Sequence, residues 1–340
     1  MPNAFTKISE IFNESEKFKS HLEEAMKIKQ KNFGDKIYFY APSFAPYTTS
    51  DFRSIPNRFP SISITGNKCA LKCKHCNSKV LQTMIPALTP DRLINVCKGL
   101  KEKGSIGCLI SGGCTSNLSV PLDKFIDAIA YIKKFYEMKI VVHTGIIDSD
   151  TARRLKEAEI DAAMIDVIGS NKTIKEIYHS NVTVHDYEES LSVLHENDIP
   201  LVPHVLVGLH YGILKGELRA LEIISEYSPS AVVIIAFTPI KGTSMERVNP
   251  ASPEDITKVL IGSRLMFPTT PIVLGCMRPT GKHRVKTDIY AVKAGVNAIA
   301  FPDEEAIEVA KNVGLDIKFS PLCCSQIYED VRLKKNLKNM

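Results

Sequence analysis

No stretch of this chain is apolar enough to cross a bilayer. The longest apolar run, Ala231 to Phe237, is seven residues, where a membrane-spanning helix needs about twenty. The N-terminal stretch MPNAFTKISEIFNESEKFKSHLEEAMKIKQK is charged throughout and holds no apolar core of the kind a secretory signal needs. Long basic runs are missing as well. A formal charge of +5 over 340 residues is too small to argue for nucleic acid or a membrane surface as partner. Neither common glycine-rich phosphate loop is present, which disfavours a dinucleotide fold. These absences set the expectation of a cytoplasmic protein with neither membrane nor nucleic-acid partner. There, nine cysteines are expected to be thiols, not disulfides. The informative question is which of them cluster.

Residues 1–60 read as an N-terminal extension, one or two helices followed by an irregular strap, YFYAPSFAPYTTSDFRSIPNRFP, with four prolines. From residue 61 short β-branched runs alternate with longer amphipathic segments. Strands are predicted at 61–65, 107–112, 139–144, 161–168, 199–208, 230–238, 271–277 and 297–301. Helices are predicted at 90–103, 121–137, 150–158, 187–197, 215–227, 253–266, 285–294 and 304–313. Thr89-Pro90 and Ser252-Pro253 supply an N-cap followed by a first-turn proline. Eight strand–helix pairs predict an α/β fold, a closed (β/α)8 TIM-type barrel over 61–314. Residues 315–340 form a C-terminal tail, expected to fold over one end of the barrel and to cap its mouth.

After the first strand, TGNKCALKCKHC spaces Cys69, Cys73 and Cys76 as CxxxCxxC. At this cysteine content chance produces such a triple about 0.006 times per chain. Lys68, Lys72 and Lys74 make the loop too polar for three buried filler cysteines. Structural zinc wants four ligands, usually from two CxxC pairs, and no second pair of that spacing exists. A cubane [4Fe–4S] cluster normally takes four thiolates, so three leave one iron open to a substrate or cofactor.

This arrangement resembles the radical S-adenosylmethionine (SAM) superfamily, in which three such thiolates hold the catalytic cluster and SAM chelates the open iron. Gly112-Gly113, ending the second strand, looks like the family's glycine motif for the SAM methionyl amine. His75 stands where the family places an aromatic residue against adenine. VLVGLHYG (205–212) and FTPIKGT (237–243) resemble its adenine-lining segments. Asp166 is either a ribose contact or a plain barrel-interior hydrogen-bonding group. His143, His204 and His210, at strand ends, touch SAM or substrate, ligate a metal, or are satisfied within the barrel. Lys282, His283 and Arg284 form a basic patch that either meets an acidic carrier domain or is a solvated loop.

Within the superfamily the chain resembles the biotin synthase-like branch, and most closely the archaeal, two-protein lipoyl synthase. The resembling blocks include YAPSF, LISGG, VVHTG, VPHVLVGLHYG, LGCMRPTG, AGVNAIAFP and CCS, between about residues 38 and 325. The resemblance implies sulfur insertion at an octanoyl-lysyl group of a lipoyl carrier protein, with an electron donor and a second radical SAM subunit as further partners. It also implies a second, sacrificial iron–sulfur cluster. Cys97, on an apolar helix face, and Cys108, at the start of a strand, read as core. That leaves Cys276, Cys323 and Cys324 as the implied auxiliary ligands, Cys114 as a further candidate, and Arg278 by analogy with biotin synthase. Bacterial lipoyl synthase instead carries a cysteine run ahead of its radical SAM motif, whereas residues 1–68 here contain no cysteine. Two rival expectations stand beside this one: radical SAM chemistry of another kind, with structural tail cysteines, and a non-catalytic partner subunit.

Overall fold

Strand and helix alternate from residue 61 to residue 312, as the sequence pattern predicts. The computed structural model describes residues 8, 10–12 and 17–331. Helix α1 (Phe18–Phe33) leads into β1 (Lys36–Tyr40), β2 (Ser61–Ser63) and the two-residue β3 (Ile85–Pro86). Then come α2 (Pro90–Glu102), β4 (Gly107–Ser111), α3 (Ile126–Tyr136), β5 (Lys139–His143), α4 (Ser149–Glu157) and β6 (Ala162–Asp166). Beyond them lie α5 (Val184–Glu196), β7 (Leu201–Val207), α6 (Glu217–Ser225), β8 (Val232–Ala236) and α7 (Pro253–Met266). The series ends with β9 (Ile272–Leu274), α8 (Lys282–Lys293), β10 (Ala298–Ala300), α9 (Glu304–Asn312) and β11 (Asp316–Ser320).

Local chemistry starts these helices where the sequence indicates. The Thr89 side chain accepts from the Arg92 N–H ahead of α2, and Ser252 accepts from the Asp255 N–H ahead of α7. A reciprocal cap between Thr183 and Asp186 opens α5. Every residue of β7 is buried, as expected of a parallel strand covered on both faces. Cys97 and Cys108 lie in the core between sheet and helices.

The eleven strands form one sheet in the order β11-β1-β10-β9-β8-β7-β6-β5-β4-β2-β3, parallel throughout and curled into a TIM-type half-barrel. Closure is where it departs from expectation. Among the described residues no ladder joins β10 to β2; β1 takes the free edge of β10, and β11 then takes that of β1. KIYFY, expected as part of an irregular segment, is a continuous apolar run because both of its faces are covered. The strap from Ala41 to Pro60 spans the gap between β1 and β2. Its prolines 42, 46, 56 and 60 lack the N–H a ladder needs.

The tail does not cap the mouth. After β11 it crosses the interior and buries Cys323, Cys324, Ile327 and Tyr328 against inward-facing Met164, Val202, Val233 and Ala300. Tyr328 donates to the Asp161 carbonyl just before β6, and Glu329 pairs with Lys139 at the start of β5. Tyr40 donates to Asp330. The Asp161 and Lys139 anchors lie at the N-terminal ends of β6 and β5, so the tail forms a floor beneath the cavity. Burial of Ile327 alone is worth roughly 2 kcal/mol, which makes the floor part of the core. No helix among the described residues is long and apolar enough to cross a membrane.

Candidate active site

The three-cysteine loop leaves β2 and returns toward the sheet through left-handed backbone at Lys72, Asn77 and Ser78. Cys73 is buried, while Cys69 and Cys76 are partly so. The loop is tied at several points. Lys74 N–H donates to the Ile177 carbonyl (2.9 Å), Lys74 Nζ to Tyr211 Oη (2.8 Å), and Ala70 N–H to the Cys114 carbonyl (2.9 Å). The bond to Tyr211 joins the loop to the segment after β7. Gly113 is held by its N–H to Thr65 Oγ1 (2.7 Å). A Cβ there would sit 2.1 Å from the Lys68 carbonyl and 2.6 Å from Cys69 Cβ, so only glycine fits. At Gly112 the nearest atoms, on Thr65, would be 3.1 Å away. Of the glycine pair, then, Gly113 is the one the cysteine loop requires.

Cys69, Cys73, Cys76, Gly112, Gly113 and Cys114 line one cavity of about 280 Å³ at the C-terminal ends of the strands, with Tyr178 and Tyr187 on its far wall. His75 packs edge-on against Tyr178, ring centroids 5.3 Å apart. Within this cluster the Cys76 thiol is pulled down to about 4, first by the hydrogen bond from Cys73, with further help from His75 and the Ser78 N–H. Cys73 is pushed up correspondingly. The pair thus favours ionisation at Cys76 over Cys73, and the thiolate is the form that binds metal.

A second cavity, of about 250 Å³, continues inward. It is lined by apolar groups from several strands, by His75 and Cys76, and by Cys276, Cys323 and Cys324. Cys114 does not line it. Cys276 follows β9 and is exposed to solvent, unlike buried Cys323 and Cys324. Cys323 is held at about 7, chiefly by the hydrogen bond from Cys324.

Where the cavities meet stand His143, ending β5, Asp166, ending β6, and His204 on β7. Ligand atoms of the three lie within 4.8 Å of one another. His143 Nε2 is 3.5 Å from Asp166 Oδ1, and the two imidazoles are 5.5 Å apart. His204 Nδ1 faces the Val202 carbonyl at 3.1 Å. Burial alone would raise Asp166, but the charge of His143 overcomes it and holds the carboxylate at about 2. His143 is lifted in turn by Asp166 against its own burial. Burial drops His204 to about 4, leaving it neutral. The junction thus sets a histidine–aspartate pair beside an imidazole whose burial disfavours protonation.

Other candidates lie elsewhere. His210 meets Thr173 Oγ1 (3.2 Å) and lines neither cavity. His283 faces the Ala251 carbonyl (2.9 Å), and Arg284 donates to the Arg278 carbonyl (3.3 Å). Arg278 is removed from the ligand set. Its side chain is fully buried and all five N–H donors are used, on both Asp288 oxygens and on the carbonyls of Gly275, Ala300 and Phe301. It clamps β9 to β10. Sequence reasoning also missed Thr65, Tyr178 and Tyr187. Nothing marks them in sequence, because each is brought to the cavity by a different element.

The donor set suits a cluster with one open iron. One loop offers three thiols to a single cavity. His75 Nδ1, which borders it, is buried without a hydrogen-bond partner and so awaits one, while Asp166 Oδ1 has only the longer contact to His143 Nε2. The model of the radical SAM superfamily matches residues 63–213, the segment that carries this loop, the glycines and the histidine–aspartate junction. That segment is a radical SAM domain. Biotin synthase of Coxiella burnetii (strain Dugway 5J108-111) is 27% identical over 267 residues, covering 74% of this chain and 78% of that one. That of Buchnera aphidicola subsp. Schizaphis graminum is 25% identical over 302 residues, covering 84% and 83%. Over about three quarters of its length the chain is thus similar to biotin synthases. Two solved structures share its fold. Methylornithine synthase has TM-score 0.65 and 14% identity, covering 96% of both chains. The [FeFe]-hydrogenase maturase of Carboxydothermus hydrogenoformans has TM-score 0.64 and 16% identity, covering 93% of this chain and 76% of its own. A radical SAM enzyme uses a [4Fe–4S] cluster and SAM, and Cys69, Cys73 and Cys76 are the residues that would hold such a cluster here.

Proposed function

We propose that this enzyme inserts sulfur into an unactivated C–H bond of an octanoyl chain, amide-linked to a lysine of a lipoyl carrier protein. The observation that carries the reading is the second thiol set, Cys276, Cys323 and Cys324, lining an apolar cavity that Cys76 of the first set also lines. When bound, the first cluster supplies the electron that splits SAM to a carbon radical, and an auxiliary cluster on the second set supplies sulfide. The chain's own residues do the rest. Gly112 and Gly113 leave room for the methionyl end of SAM beside Cys69. His75, His143, Asp166 and His204 offer polar partners to its nucleoside end. Leu109, Met164, Leu206, Val233 and Ile235 give a saturated chain a dry bed and exclude water from the reaction. An external electron donor and, as the lipoyl synthase resemblance implies, a second radical SAM subunit complete the system.

The similarity to biotin synthases favours a second reading, in which the sulfur acceptor is a small free molecule. Anaerobic incubation with SAM, reductant and an octanoyl-lysyl peptide, followed by mass analysis, separates the two. Thiolated peptide is expected. Cleavage of SAM without it refutes the carrier-bound substrate. With Cys323 and Cys324 both replaced by alanine, SAM cleavage should persist while the thiolated product and about half of the iron disappear. Continued C–S bond formation by that variant would locate the sulfur source elsewhere.

A further inference from the structure

Of the cysteines outside the CxxxCxxC loop that sequence reasoning offered as auxiliary ligands, Cys114 alone lies on the first cluster's side of the junction. It lines the cavity of Cys69, Cys73 and Cys76, and it is missing from the wall that carries Cys276, Cys323 and Cys324. Its backbone is fixed on both sides. The Cys114 carbonyl accepts from Ala70 N–H at 2.9 Å, one residue beyond Cys69, and Thr115 N–H donates to the Ser119 carbonyl at 2.8 Å. Immediately before it, Gly113 lies against Cys69 so closely that no side chain could intervene. Cys114 is therefore carried to the rim of the cluster loop, where its thiol has little freedom to turn elsewhere.

Four thiols around one cavity are the full complement of a cubane cluster, while SAM chemistry needs one iron free. Three come from the CxxxCxxC loop and keep their place throughout. The fourth comes from a different element, beside the glycines that make room for SAM. A ligand so placed can hold the open iron until SAM arrives and then yield it.

We propose that Cys114 is the resting ligand of the iron that SAM later occupies. In the exchange the bond from iron to Cys114 sulfur breaks as the amino and carboxylate groups of SAM bind that iron, and the released thiolate takes up the proton that the ammonium of SAM gives up on binding. No oxidation state changes and no other reactant is needed. Cys114 thereby guards the exposed corner of the cluster against loss of iron in the absence of SAM, and it competes with SAM for that corner. The inference rests on the first cluster alone and is independent of whether sulfur is inserted.

The test uses the full-length protein reconstituted with ⁵⁷Fe, as wild type, Cys114→Ala and Cys114→Ser, the last keeping the side-chain volume. Mössbauer spectra are recorded with and without SAM, and the SAM-induced difference isolates the first cluster even where a second is present. In wild type SAM should convert one sulfur-ligated iron to a distinct site. In Cys114→Ala that iron should be distinct before SAM is added. Iron should pass to a chelator at least about tenfold faster from Cys114→Ala without SAM, since even loss of an outer partner weakens a metal site that much. SAM should bind Cys114→Ala more tightly than wild type, its competitor having gone. Identical SAM-induced differences in wild type and Cys114→Ala would overturn the assignment, as would equal iron release or SAM affinity that is unchanged or weaker. Absence of thiolated product in the peptide assay would refute sulfur insertion and leave this result untouched.

Discussion

Arg278 decides whether the segment after β9 is a ligand or a girder. Its guanidinium meets Asp288 through Nε at 2.6 Å and Nη2 at 2.7 Å, with both side chains fully buried. Three carbonyls take its other donors, Gly275 at 2.7 Å, Ala300 at 2.8 Å and Phe301 at 3.1 Å. Arg278→Met strands a buried carboxylate that keeps only the Asp303 N–H. Removing one partner of a buried pair costs about 3–5 kcal/mol, and for a chain of this size that lowers Tm by roughly 5–10 °C. Asp288→Ala strands the guanidinium and should cost a similar amount. The double variant buries neither charge, so its loss should fall well short of the sum, with a coupling of at least about 2 kcal/mol. Anaerobic urea denaturation of the four proteins measures this cycle, and iron analysis of each reports whether clusters still assemble. Suppose Arg278→Met unfolds within about 1 kcal/mol of wild type, the coupling vanishes, and the variant still loses iron. Arg278 would then be a ligand, and the structural reading of the clamp would be wrong.

Two further outcomes rest on particular contacts. Gly113→Ala should cost about 1–3 kcal/mol by overpacking and displace Cys69, with loss of bound iron, whereas Gly112→Ala should cost under about 1 kcal/mol and keep the cluster; equal iron contents in the two would contradict the packing. Glu217, buried and accepting the Gly208 N–H at 2.8 Å, is raised by burial from 4.5 to about 7. Its folded state holds a proton that the unfolded chain has released, so stability falls as pH rises from about 4.5 to about 7. Glu217→Gln keeps an acceptor without the charge. It should be more stable than wild type by about 1–3 kcal/mol at pH 8 and nearly equal to it at pH 4.5; denaturation midpoints that differ equally at both values would exclude this account.

Periodicity and spacing determined most of the chain beyond residue 61. The eight strand–helix pairs are legible because each helix shows one apolar face and each strand a short β-branched run, signals that depend only on near neighbours. The three-cysteine loop is legible for the same reason, since its ligands lie within eight consecutive residues. Relations between distant segments needed the tertiary structure. β1 and β11 pair with each other and extend the sheet past β10, because a buried strand without alternation carries no mark of its place in a sheet. Ser320, Pro321 and Ser325 suggest a surface turn, yet the tail enters the interior, drawn by Ile327 and Tyr328 and pinned at Asp161 and Lys139. Cys114 and Cys276 look alike as strand-end thiols. They part company because the curl of the sheet turns one toward Cys69 and the other toward Cys323, and Arg278, two residues past Cys276, is claimed by Asp288. Spacing along a chain identifies ligands supplied by one loop; ligands supplied by several elements are selected by the curvature that brings them together.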